Sequence, residues 1–531
     1  MQPVLIVGAG PVGLTTALGL AYYNIPFLLF EEDGSLSLDT KAGTILTRTL
    51  EVFRRYGVAD DVLARALRVE EIGELERQNN VSGQSVRTSL LREETRFPFV
   101  VNLPQHHLEP ILRNAVEQVP NGRLLMEHRL VHFNSEAGGV VAEFDTPAGR
   151  KRFEGSYLLA CDGGRSTVRA QCGVPVDGVS LDVRYMLVDL TVDLDVGNPR
   201  DYPYLAYFSD AQEWMILVRQ PHCWRFLYPL APGVDEPTDE ELRDKVLRFI
   251  GDVDRVELIG RVTYRVHHRI ARQWRHGRTF LMGDAAHLIT PMWALGLNTG
   301  VLDTINLPWR LAWVLRGWAD SSLLDGYERE QRPVAADGAG EMAEAARHHM
   351  AMQDGETRPE TLQDWGNAYT RTLLGVRLDI HGTGDWSMVR NDAAPPPLRV
   401  GERIPDFALH GPAGRAVRLH DLVDGNFLAL YFCDVRRRPD IPHNTSPALR
   451  HMVVSRWDAP LDSALRDRAL LDVGNCLRER LGVPDGTLVL VRPDDHVAAI
   501  VPVMPGRAES LYQSIVGAPL PHGDKHGDKQ S

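Results

Sequence analysis

The first apolar run of the chain, Val4-Leu5-Ile6-Val7, is short and unbroken, the pattern of a strand buried on both faces. Helical spacing follows from about Val12 to Tyr23, and Phe27 to Phe30 supplies a second apolar run. The first 35 residues therefore read as a βαβ unit. After a polar loop, Thr44 to Tyr56 reads as helix. From roughly Pro175 to Val262 the pattern changes to short β-like runs, such as Tyr185 to Val192 and Trp224 to Tyr228. That stretch is rich in aromatics (Tyr202, Tyr204, Tyr207, Trp214, Trp224) and predicts an antiparallel sheet layer. From Arg278 strand, glycine loop and long helix return, with further helices to about Arg390. Ala393-Ala394-Pro395-Pro396-Pro397 cannot continue a helix and reads as a stiff linker. Beyond it, Phe427 to Phe432 and Thr487 to Val491 read as strands of a small α/β unit. The last dozen residues, with two His-Gly-Asp-Lys echoes, read as a disordered tail.

Composition narrows the classes. A length of 531 residues calls for two or three domains, and 44% hydrophobic with 24% charged residues is the balance of a globular protein. No run of about 18 apolar residues offers a membrane span. The apolar start lacks the basic leader and cleavage site of a signal peptide. Lys+Arg 58 against Asp+Glu 71 leaves a net charge of −13, which argues against a nucleic-acid partner. Five scattered cysteines without CxxC spacing argue against a zinc site or a dithiol centre and fit a reducing cytoplasm.

Gly8-Ala9-Gly10-Pro11-Val12-Gly13 lies between the first strand and the first helix. In such a turn the first glycine permits the bend, the second admits a pyrophosphate, and the third lets helix pack on strand. Glu31 ends the second strand, where a carboxylate can accept from ribose hydroxyls. This fingerprint alone leaves FAD and NAD open. Two further strand ends carry acids, Asp162-Gly163 followed by Arg165, and Gly283-Asp284. Asp284 suits the hydroxyls of a ribityl chain. After Pro291, the sequence Gly296-Leu297-Asn298-Thr299-Gly300 opens a helix whose dipole would favour charge building on a reduced flavin.

With these motifs in this order, the chain resembles the class A flavoprotein aromatic hydroxylases, including phenol and polyketide-tailoring hydroxylases. The resemblance continues through Asp303, Asn306-Leu307-Pro308-Trp309-Arg310-Leu311 and the stretch from Leu323 to Pro333. It implies FAD as cofactor and NAD(P)H as co-substrate, with Asp162 serving both and Asp284 contacting the ribityl chain. It also marks Gln105 as a flavin contact, and Lys41 and Arg48 as part of a segment that approaches the cofactors. The loop Trp293-Ala294-Leu295-Gly296 departs from the family's Gly-Gly-Gln-Gly, and Glu32 stands where many relatives have arginine. Tyr204, Trp214, Arg225 and Trp293 are the substrate-site candidates, with ordinary sheet packing the competing reading for Arg225. His287 reads as a structural histidine at a strand-to-loop corner.

The expected fold class is α/β. A Rossmann-like FAD-binding domain (1–174 and 263–392) is interleaved with an antiparallel β-sheet substrate domain (175–262). A C-terminal α/β domain (398–518) resembles thioredoxin, and 519–531 form a tail. The implied reaction is hydroxylation of a small phenolic or aromatic substrate by NAD(P)H and O2 through a flavin C4a-hydroperoxide, with no catalytic side chain and no metal. Epoxidation or Baeyer–Villiger oxidation of a polyketide is the alternative enzyme reading, a flavin-binding redox sensor the non-enzyme one. No nucleic acid or membrane is expected as partner, and a homodimer is left open.

Overall fold

All four residues of the strand Val4–Val7 are buried, which explains why its sequence runs apolar without alternation. In the computed structural model this strand lies inside a six-stranded sheet ordered Arg275–His276, Thr279–Leu281, Leu158–Ala160, Val4–Val7, Phe27–Phe30, Gly122–Leu125. Its neighbours run parallel, apart from the short hairpin of Arg275–His276 with Thr279–Leu281. The structure describes all residues except 37–42, 77–81, 137, 195–201, 211–213, 231–232, 235, 251–252, 254, 352–372, 374–376, 385–396, 412–413, 434–440, 445, 457–462 and 522–531. Lys41, the proline run up to Pro396 and most of the tail therefore lie outside the described residues.

The helix Pro11–Tyr22 follows the first strand, with Pro11 at a first-turn position where its missing N–H leaves no bond unmade. Thr44 and Ile45, expected as helix, instead form a short strand paired with Asn102 and Val101, and helix begins only at Thr47. The β-branched pair is satisfied by a strand more than fifty positions away, which local spacing does not reveal.

The chain divides into two units. One comprises Met1–Arg92, Phe97–Thr304 and Ala335–Leu374, the other Glu93–Arg96, Ile305–Val334 and Gly375–Ser531. The first also holds an eight-stranded sheet, ordered His287–Leu288, Val256–Ala271, Val176–Val192, Trp224–Leu230, Met215–Arg219, Leu205–Ser209, Glu71–Glu76, Ser82–Arg87. Its pairs are antiparallel except Leu205–Ser209 with Glu71–Glu76. Period-two alternation separates its faces. Met186, Val188, Leu190, Phe226 and Leu217 pack on Leu242, Val246 and Ile250 of the helix Asp239–Ile250. The opposite face carries Tyr185, Leu187 and Asp189, in register with Tyr264, Leu227 and Arg225, and continues through Ile216 to Tyr207 and Glu74.

The second unit is built on a seven-stranded mixed sheet with Phe427–Phe432 between Leu449–Arg456 and Thr487–Val491, the former parallel and the latter antiparallel to it. Beside its apolar core lies a buried ionic cluster. Glu330 accepts from Arg310 Nη2 at 2.7 Å and from Arg492 Nη1 and Nη2 at 2.9 and 2.8 Å. Arg492 also pairs with Asp494, which accepts from Trp309 Nε1 at 3.2 Å. Burial pushes the Glu330 carboxyl up, but Arg310 and Arg492 outweigh it and hold the group down at about 2. No helix among the described residues is long and apolar enough to cross a membrane.

Candidate active site

The turn after the first strand has three glycines in three different environments. Gly8 adopts φ +97°, and a Cβ there would lie 2.3 Å from the Cys161 carbonyl oxygen. A Cβ on Gly13 would lie 1.9 Å from the Gly8 carbonyl oxygen, so that position admits only close helix–strand packing. Around Gly10 a Cβ would meet nothing within 4 Å. Its lack of a side chain serves no protein contact and leaves backbone open to a ligand. The helix starting at Pro11 has no side-chain cap, so its first amides remain available to an anion. Glu31 turns one carboxylate oxygen to Ala9 N at 2.7 Å and the other to Asp33 N at 3.2 Å, fixing the second strand's end against the turn.

The separated motifs meet here. Val12 is the nearest neighbour of the Cβ positions of both Gly283 and Gly300, at 2.9 and 2.8 Å. Glycine-rich turn, Gly-Asp turn and helix start thus form one cradle. Asp303 holds the Gly-Asp turn from below, accepting from Gly283 N at 2.8 Å and bonding His287 Nε2 at 3.0 Å. His287 is buried and stacks on Trp274. Asp284 is exposed at that turn between buried Gly283 and Ala285.

Asp162 accepts from Val168 N at 3.0 Å through Oδ2, while its shielded Oδ1 has no partner among the described residues. Burial raises its pKa, although hydrogen bonds from Ser166 and Val168 oppose the rise. Arg169 donates to Gly164 O at 2.7 Å and Ala285 O at 2.8 Å, joining the Asp162 and Asp284 turns. That fastening was legible only as an arginine following the motif. Arg165 is exposed beside it.

Asn298, expected as a cofactor contact, has its side chain committed to the protein. Its Oδ1 accepts from Leu46 N (2.9 Å) and Thr49 Oγ1 (2.6 Å), and Nδ2 donates to Thr44 O (3.1 Å) and Ala294 O (2.7 Å). Its neighbours Gly296 and Leu297 are half-buried, as is Pro291. Arg48 is buried against Glu51 at 2.8 Å. Gln105 donates to Glu109 at 2.7 Å in the first turn of the helix Gln105–Gln118.

Of the substrate-site candidates, Arg225 makes a buried two-pronged pair with Asp189 at 2.8 and 2.9 Å. Its Nη1 has no hydrogen-bond partner among the described residues and stands 3.0 Å from a Cβ built on Gly43. Trp214 is buried and meets Tyr185 edge-on. Tyr204 is 36% exposed, with its ring against Trp224. Trp293 is buried, and it and Ala294 adopt φ +55° and +57°, left-handed backbone at two successive non-glycine residues. Such conformations cost ~1–3 kcal/mol each and persist where surrounding structure holds them. Beside this loop, Thr290 donates to Glu344 of the helix Glu341–Met350 at 2.8 Å. Lys41 cannot be placed among the described residues.

The open Gly10, the uncapped helix start and the unpartnered Asp162 oxygen suit a flavin dinucleotide. Residues 1–339 match the family model described as FAD binding domain. A putative polyketide hydroxylase of Streptomyces halstedii is 32% identical over 527 residues, covering 93% of this chain and 92% of the relative. The para-nitrophenol 4-monooxygenase of Pseudomonas sp. (strain WBC-3) is 29% identical over 342 residues, 63% of this chain and 83% of the relative. Among solved structures, aklavinone-11 hydroxylase with FAD and aklavinone shares the fold at TM-score 0.76 and 24% identity, over 97% of this chain and 99% of that one. The chain belongs to the FAD binding domain family and is a flavin-dependent monooxygenase of the class A hydroxylase type.

Proposed function

We propose that the chain uses NAD(P)H and O2 to hydroxylate a phenolic ring, either a simple phenol or the phenolic part of a polyketide-type aromatic. The observation that carries this reading is the second face of the eight-stranded sheet. Tyr185, Tyr207 and the Asp189–Arg225 pair share that face, and Arg225 and Gln220 approach Gly43, close in sequence to the Thr44–Thr49 segment that Asn298 clasps. An aromatic wall with a few fixed polar groups suits a flat, oxygenated ring.

Bound FAD supplies the hard chemistry, accepting electrons from NAD(P)H and activating O2 for transfer to the ring. The protein's part is positional. Gly10 and the helix start hold the pyrophosphate, Asp162 and Asp284 take hydroxyl and ribityl contacts, and Arg169 keeps those two turns together. The start of the helix Leu295–Leu315 brings a positive dipole end to the cradle. The buried sheet face orients the ring and excludes water. Five unpaired cysteines suit a reducing compartment such as the cytoplasm.

The test is product formed per NAD(P)H consumed, for 4-nitrophenol, 3-(3-hydroxyphenyl)propionate and 1,8-dihydroxyanthraquinone, each beside its methyl ether, with labelled O2. Hydroxylated, labelled product from a phenol and hydrogen peroxide from its ether is the expected result. Equal coupling for both would move the chemistry to epoxidation or Baeyer–Villiger oxidation.

A further inference from the structure

Tyr185 is fully buried, yet its hydroxyl has no hydrogen-bond partner among the described residues. Buried hydroxyls are rarely left so, because an unmade hydrogen bond in a dry setting costs about 1–3 kcal/mol. The residue is not there to fill the core. Met186 and Val188 point into the apolar layer under the helix Asp239–Ile250, while Tyr185 stands on the other face with Asp189 and Arg225. Its ring is held from two sides, edge-on to Trp214 at 5.2 Å and to Tyr264 at 6.1 Å. The pair Tyr185–Tyr264 is also a cross-strand register pair, so the strands Val176–Val192 and Val256–Ala271 fix where the ring can stand.

The surroundings of the hydroxyl are polar. Burial pushes its pKa far up, and of the charges that act on it, Arg347 pulls it back while Glu344 pushes it further. Both belong to the helix Glu341–Met350, where Arg347 Nε donates to Glu344 at 2.8 Å. Glu344 in turn accepts from Thr290, in the loop that leads through Pro291 into the helix Leu295–Leu315. The hydroxyl therefore stands where the sheet face, this helix and the cofactor loop come together.

We propose that Tyr185 orients the substrate by donating its hydroxyl proton, as a hydrogen bond, to an oxygen attached to the ring that is oxidised. That oxygen is a phenol, a phenolate or a quinone-type carbonyl, and Arg347 is the nearby cation that favours the more negative of these. No bond is made or broken at Tyr185. Its role is to set which ring carbon faces the flavin, and the proposal rests on the hydroxylase reading above.

Tyr185→Phe in the full-length FAD enzyme removes one oxygen and keeps the ring between Trp214 and Tyr264. Affinity is read from the flavin spectrum with 4-nitrophenol and 4-nitroanisole as probes, alongside product per NAD(P)H, FAD content and melting temperature. The parent is expected to prefer the phenol, and the variant to lose about ten-fold in affinity for the phenol, ~1.4 kcal/mol, with little change for the ether. Hydrogen peroxide should rise as hydroxylated product falls. An unchanged phenol-over-ether preference with unchanged coupling in the variant overturns the proposal alone. Loss of FAD or of the parent melting temperature marks Tyr185 as structural and overturns it as well. A parent that hydroxylates none of the phenols overturns the hydroxylase reading, and this proposal with it.

Discussion

Gly10 and Gly13 stand three residues apart, and the same added methyl should have opposite consequences at each. At Gly13 it meets the Gly8 carbonyl oxygen at 1.9 Å, so Gly13→Ala is expected to lower the melting temperature even without cofactor. At Gly10 the protein offers no obstacle, so Gly10→Val should fold but purify without yellow colour and fail to take up added FAD. Thermal melting of apo-protein and FAD titration separate the two. A Gly10→Val protein that binds FAD normally would remove Gly10 from the pyrophosphate cradle. Asp162 gives a pH test. Its folded pKa is raised, so the ionised form is disfavoured by folding; its stability contribution is present at low pH and is lost as pH rises through the folded value. Asp162→Asn should therefore raise the melting temperature of apo-protein near pH 8 relative to the parent, with the gap closing toward pH 4. The same variant should bind FAD more weakly, through loss of the acceptor.

At the scale of elements, Asn298 acts as a clasp between the start of the helix Leu295–Leu315 and the segment Thr44–Thr49. Asn298→Ala strands the buried Leu46 N–H and Thr49 hydroxyl, at a cost of about 1–3 kcal/mol for a buried unsatisfied group. Amide exchange of residues 44–49 should quicken while exchange in Phe427–Phe432 stays as it was. Uniform quickening across the chain would mean that the clasp is no local device. The element boundaries themselves show what spacing can and cannot settle. Phe427–Phe432 and Thr487–Val491 have the expected ends, because their apolar runs are buried throughout and bounded by turns. Thr44–Ile45 was hidden, because its partner strand Val100–Asn102 is distant in sequence.

At the scale of the molecule, the proline run suggests a boundary near 395, whereas Ile305–Val334 groups with residues from 375 onward. Arg310 and Glu330 share their ionic cluster with Arg492, and Trp313 bonds Tyr512 at 3.1 Å. Truncation at 397 should therefore leave buried charges and tryptophans without partners, and give aggregated protein in place of a stable shorter enzyme. Glu330→Gln should cost roughly 3–5 kcal/mol at neutral pH. Because the folded pKa is held down at about 2, this stability is fully present above 4.5 and lost as pH falls toward 2, so the gap between parent and variant should narrow across that window. Cys433 is buried with its thiol pushed up to about 11, and Cys433→Ser is expected to leave turnover unchanged.

Sequence alone determined the strand–glycine-turn–helix order, the three acidic or glycine-marked strand ends and the flavoprotein family, because each depends on residues adjacent in the chain. A phosphate turn must be glycine-rich wherever it occurs, and a doubly buried strand must be apolar. Tertiary structure alone decided which polar atoms are already used. Asn298 is consumed by residues some 250 positions earlier, whereas Asp162 keeps a shielded oxygen and Tyr185 a buried hydroxyl. Period-two alternation could have placed Tyr185 on the face of Asp189, but only the strands and helix opposite determine whether its hydroxyl finds a partner. Hydrogen-bond satisfaction is a property of what faces a group, and distant segments supply that.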